Sequence, residues 1–135
     1  MIVIRDDKYI TITFDKNVSM LETCWKQAST EINDFETIKE IISTIADNLV
    51  AYHAELYLAD QRNRQVVYTL EMQKWIADRL NNGCKRAGVK YAAFINSDNF
   101  VAGLSTTQMI SEAEEVTTVV REFGDRDSAI KWFGI

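Results

Sequence analysis

Residues 54–60 read Ala-Glu-Leu-Tyr-Leu-Ala-Asp, AELYLAD. A short apolar run between two segments of helical periodicity is the signature of a strand buried on both faces. On its N-terminal side, Phe35, Ile38, Ile41, Ile42, Ile45, Ala46 and Leu49 recur at spacings of three and four. That stripe predicts an amphipathic helix, with Asn33 and Glu36 as its reciprocal N-terminal cap. On the C-terminal side, Thr69 is placed to cap a second helix that runs to about Ala87. Trp75, Ile76, Leu80 and Cys84 fall on its inner face, and Gly88 ends it.

The same alternation continues outward. Tyr91–Ile95 (YAAFI) reads as another buried strand, Ser105-x-x-Gln108 as the start of a third helix, and Val116–Phe123 as a Thr- and Val-rich strand. Asp125 caps a last helix holding Ala129, Ile130, Trp132 and Phe133. Toward the N-terminus, Ile10, Ile12 and Phe14 alternate with Thr11 and Thr13, which predicts a half-buried strand from Tyr9 to Phe14. A turn at Asp15-Lys16-Asn17 returns the chain as a strand from Val18 to Lys26, and Ile2–Ile4 adds a short edge. Alternating strands and helices demand parallel pairing with right-handed crossovers. The expectation is an α/β fold, one domain over residues 1–135, with a mixed sheet, an opening antiparallel hairpin and helices covering the sheet.

Composition narrows the function. The chain carries 15 Lys and Arg against 20 Asp and Glu, a net charge of −5, which argues against nucleic acid as a partner. One histidine and two cysteines are too few for most zinc sites or a disulfide framework. With no proline and five glycines, no dinucleotide or phosphate loop can be assembled, and no cofactor is expected. His53 has no evident triad partners, and Asp6-Asp7 and Glu114-Glu115 read as solvated pairs, so no enzyme activity is expected. The opening MIVIRDDKYI lacks an export-type apolar core, and no uncharged apolar run approaches about 18 residues, the length that spans a bilayer. The reading is a cytoplasmic protein whose Cys24 and Cys84 stay free.

The runs LYLADQRN, EMQKWIADRL, AGVKYAAFI and VVREFGDRDSAIKWF together resemble the bacterial SpoIIAA-like family, the STAS/SEC14-like domains. The likeness covers the chain from the Tyr9 strand to Trp132. It implies a regulatory module that binds another protein, as anti-sigma-factor antagonists do. Its SEC14-like side implies instead a carrier or sensor for a small anionic or lipidic molecule. The antagonists' phosphoswitch serine has no counterpart here. The connection after the middle strand reads Asp60-Gln61-Arg62-Asn63-Arg64-Gln65-Val66-Val67-Tyr68-Thr69, and its one aliphatic hydroxyl, Thr69, is assigned to capping.

In parallel sheets, ligands and partners meet the loops beyond the strand carboxyl ends. Here those loops are Asp60–Tyr68, Asn96–Leu104 and Gly124–Asp125. Residues 61–90 hold Arg62, Arg64, Lys74, Arg79, Lys85, Arg86 and Lys90 against Glu71 and Asp78 alone, a basic stretch in an acidic protein. Asp60, Arg62, Arg64, Asn96 and Ser97 are therefore the expected binding residues. Asp60 would orient a guanidinium or loop amide, and both arginines are read as exposed forks for an anion. The free edge of the opening hairpin predicts a homodimer.

Overall fold

The computed structural model describes residues 1–64, 66–96 and 117–135. Six strands form one sheet: β1 (Ile2–Asp6), β2 (Ile10–Asp15), β3 (Met20–Trp25), β4 (Leu56–Asp60), β5 (Tyr91–Ile95) and β6 (Val119–Phe123), in spatial order 1 to 6. The first three are antiparallel and the pairs from β3 to β6 are parallel, so the expected mixed sheet with its opening hairpin is what the chain forms. Three helices are described: α1 (Phe35–Ala51), α2 (Leu70–Ala87) and α3 (Arg126–Phe133). The helix anticipated at Ser105–Gln108 and the start of the Val116 strand lie outside the described residues, as does Ser97.

Successive right-handed crossovers that step one way across a sheet stack their helices on one face. α1 and α2 accordingly lie side by side over Leu21, Trp25, Tyr57, Ala59, Ala92 and Phe94. The opposite face is closed by α3, where Ala129 packs on Met20, Leu56, Leu58, Ala93 and Ile95. Every residue of β4 is buried, as a run without polar alternation requires.

Local chemistry corrects three boundaries. Asp34, not Asn33, caps α1: its carboxylate accepts from the Thr37 amide at 2.9 Å and the Thr37 hydroxyl at 2.6 Å. The β2–β3 turn is longer than Asp15–Asn17, because Asp15 pairs with Met20 and Ser19 adopts a φ of 55°. Val18 is thereby released from the ladder to pack beneath the α3-side core. Third, β1 reaches Asp6 rather than Ile4, and a register shift between Val3 and Arg5 makes this edge irregular rather than flat. Thr69, Asp125 and Gly88 take the capping roles read for them.

His53 closes α1 in the left-handed region, at φ 50°, with its amide bonded to the Val50 carbonyl and the Ala54 amide to that of Leu49. This is the helix-ending geometry that glycine adopts most easily. His53→Gly is expected to raise stability by about 0.5–1 kcal/mol, since the left-handed strain it relieves exceeds the extra chain entropy. Urea unfolding checks it, and a lower midpoint for the glycine variant would refute it.

Candidate functional site

The carboxyl ends of β3 and β4 carry two different constellations, one on each face of the sheet. Side chains alternate along β3, so Glu22 and Cys24 face α3 whereas Thr23 and Trp25 face α1 and α2.

On the α3 face, Asp60 does what its position suggested. Its Oδ1 accepts from the Arg62 amide at 3.1 Å and from Arg62 Nε at 3.0 Å, and its Oδ2 accepts from Nη2 at 2.7 Å. The fork thus clasps the carboxylate and folds the turn back on the strand end. Beside it, Arg126 of α3 binds Glu22 through two bonds of 2.8 Å. Cys24 lies among these charges. Partial burial, with the Asp60 and Glu22 carboxylates adding to it, pushes its thiol above the ordinary range.

Arg64 belongs to the other face, and it is not the exposed loop residue its setting implies. It is 6% exposed. Its Nε donates to the Tyr68 hydroxyl at 2.9 Å, and Nη1 donates to the Ser29 carbonyl in the 3-10 turn Gln27–Glu31. The guanidinium carbon stands 5.2 Å from the Trp25 ring centre and 5.6 Å from that of Tyr68. Among the described residues no carboxylate pairs with it. The turn that was expected to present two arginines together instead sends one to each face.

Arg64 lines a pocket enclosing about 30 Å3 of free space. Ile42 and Ile45 of α1, Ile76 and Leu80 of α2, and Trp25 form apolar walls, while Tyr57, Gln61 and Tyr68 add polar groups. Burial holds the Tyr57 phenol far above its usual range, so it stays a neutral donor. Ser29 Oγ, beside the Arg64 contact, is buried without a hydrogen-bond partner among the described residues. So are both amide atoms of Asn96, which follows β5 next to Gln61, whose amide bonds the Ile95 carbonyl. Asn96 is thus buried at the strand ends as anticipated in position, although it is not among the pocket's lining residues.

Trp25, Tyr57, Gln61 and Tyr68 were not singled out by sequence. The spacing of Arg64 and Tyr68, four residues apart in a basic loop, was the one local signal that linked any of them.

Neither cysteine is set up as a nucleophile. Burial lifts the Cys84 thiol to about 12. An unfolded thiol titrates near 8.5, so at pH 8 Cys84 should alkylate roughly a thousandfold more slowly in the native protein than in denaturant. The sign of the stability effect follows. The folded pKa is the higher one, so the contribution is complete below about 8.5 and is lost as pH rises toward 12. The urea midpoint should fall between about pH 8 and 10.5, and fall less in Cys84→Ala. Equal falls would refute this.

No protein-family model, curated protein or solved structure matches this chain. The pocket and the polar cluster therefore stand on their own geometry.

Proposed function

We propose that this protein is a non-enzymatic cytoplasmic sensor or carrier of STAS/SEC14-like type that binds a small anionic molecule at Arg64. One observation carries the reading: a buried guanidinium that no carboxylate among the described residues pairs with, in the wall of an apolar pocket. A buried charge is costly unless an opposite charge meets it. A site that leaves that charge unmatched in the free protein gains most when an anion arrives. The free space argues against a long acyl chain, since about 30 Å3 corresponds to roughly two waters. Two free thiols fit a reducing compartment. His53, the only histidine, is exposed at the end of α1, which supports binding rather than acid–base catalysis.

Protein docking is the second reading, supported by a separate surface. Tyr91 and Val119, paired across β5 and β6, are 42% and 50% exposed, and the Tyr91 ring meets Trp132 edge-on at 5.3 Å.

The test for the first reading is mass spectrometry of small molecules released on denaturing the protein purified from its host. Wild type should release a stoichiometric anion and Arg64→Met should not. An empty wild type, or equal release from both, would overturn the reading.

A further inference from the structure

We infer that the ligand of the Arg64 pocket is a short-chain monocarboxylate. This rests on the small-anion reading above and specifies its chemistry from three features of the site.

The first is charge. Arg64 is the one charged side chain among the described residues lining the pocket. One buried cation neutralises one negative charge. A phosphate dianion would bring a second charge into the same low-dielectric space with nothing to meet it. A monoanion leaves no surplus.

The second is donor geometry. A guanidinium has five N–H donors. Nε and one Nη1 hydrogen are held by Tyr68 and Ser29. Three donors remain, one on Nη1 and two on Nη2, and the edge that Nη1 and Nη2 share carries one N–H from each. That planar edge matches the two oxygens of a carboxylate. The Tyr68 hydroxyl accepts from Nε, so its own proton is still available, and the Tyr57 phenol remains protonated. Both can donate, as an acceptor-only anion requires.

The third is shape. Beyond the charge, Ile42, Ile45, Ile76 and Leu80 offer only hydrocarbon. An ion such as chloride or nitrate would leave that wall without a partner, whereas an alkyl tail fills it. The limited free volume stops the tail after a few carbons.

The experiment is calorimetric titration and thermal unfolding of the full chain with acetate, propionate, butyrate and hexanoate. The matching neutral amides, inorganic phosphate and chloride serve as controls. One of the C2–C4 acids should bind at one site per chain with a Kd on the order of 1 mM, a fair affinity for so few atoms. Its amide and phosphate should each bind at least about tenfold more weakly, a difference that one charge-assisted pair supplies. Arg64→Met should abolish the preference for acid over amide. Leu80→Phe, which narrows the apolar end and leaves Arg64 in place, should shift the optimum toward acetate, and so tests the site even if the Arg64 variant folds poorly. Equal binding of acid and amide, or tighter binding of phosphate, would overturn the carboxylate assignment while leaving a small-ligand pocket standing. Hexanoate as the tightest ligand would overturn the chain-length limit. No binding by any of these compounds would overturn the monocarboxylate, and ligand release from the host-purified protein would then decide whether the small-anion reading falls with it.

Discussion

Gly83→Val is expected to lower the stability of this protein by about 3 kcal/mol, at the upper end of what overpacking a core costs. Gly83 sits on the face of α2 that meets α1. A Cβ there would lie 3.0 Å from Ala46 Cβ, 3.1 Å from Ala46 Cα and 3.2 Å from the Ala46 carbonyl oxygen. Two of those three neighbours are backbone, and Ala46 is fully buried, so no flexible side chain can swing aside. Alanine at 83 divides two effects. It gains up to about 1 kcal/mol of helix propensity and loses a similar amount to the tight contact, so its net change should stay within about 1 kcal/mol. Valine adds two methyl groups to the clash, and α1 and α2 must separate. The same two helices supply Ile42, Ile45, Ile76 and Leu80 to the pocket, so the variant should also change its shape. Denaturant unfolding of wild type, Gly83→Ala and Gly83→Val gives the answer. A valine variant within 1 kcal/mol of wild type would mean that the helices part at little cost.

How far sequence carried the fold, and where it stopped, depends on the range of the interactions involved. The α1 stripe, the unbroken burial of Leu56–Asp60 and the Thr69 and Asp125 caps are governed by neighbours within a few residues, and all could be read directly. The Asp60–Arg62 clasp is equally local, two residues apart. Arg64 has the same kind of neighbours in sequence as Arg62. Its burial depends on a carbonyl at Ser29 and a ring at Trp25, more than thirty residues away, brought together only when β3 and β4 pair. Within the 60–69 segment only the Arg64–Tyr68 spacing bears on that difference. The pocket was hidden for a related reason: Ile42, Ile45, Ile76 and Leu80 are the very residues whose periodicity announced the helices, and a pocket wall has the same sequence pattern as a filled core. Asn33 and Asp34 compete for one cap by identical chemistry, and only the backbone geometry separates them.

Arg64 should also show an unusual pattern of stability. Arg64→Ala is expected to cost about 2–3 kcal/mol. The truncation removes the side-chain stem beside Trp25 and Tyr68 and the two bonds to Tyr68 and Ser29. The Ser29 carbonyl keeps its bond from the Ile32 amide, so it is not left orphaned, and the loss comes chiefly from the emptied volume. Arg64→Met keeps an unbranched stem of similar reach and removes a buried charge that no acid among the described residues offsets. Replacing a buried ionic group by an apolar one of similar volume is often neutral or stabilising. The methionine variant should therefore lie within about 1 kcal/mol of wild type, or above it, in buffer free of carboxylates. Adding the cognate anion should then raise the wild type and leave the methionine variant unchanged, because only a state that binds ligand gains from it. Urea midpoints for the three proteins, with and without butyrate, contain the whole comparison. If methionine and alanine destabilise equally, the guanidinium is a structural strut, needed for its bonds rather than its charge. If methionine alone preserves stability and abolishes the response to anion, then the fold tolerates a buried cation that it does not need, and the reason for keeping that cation lies in what it binds.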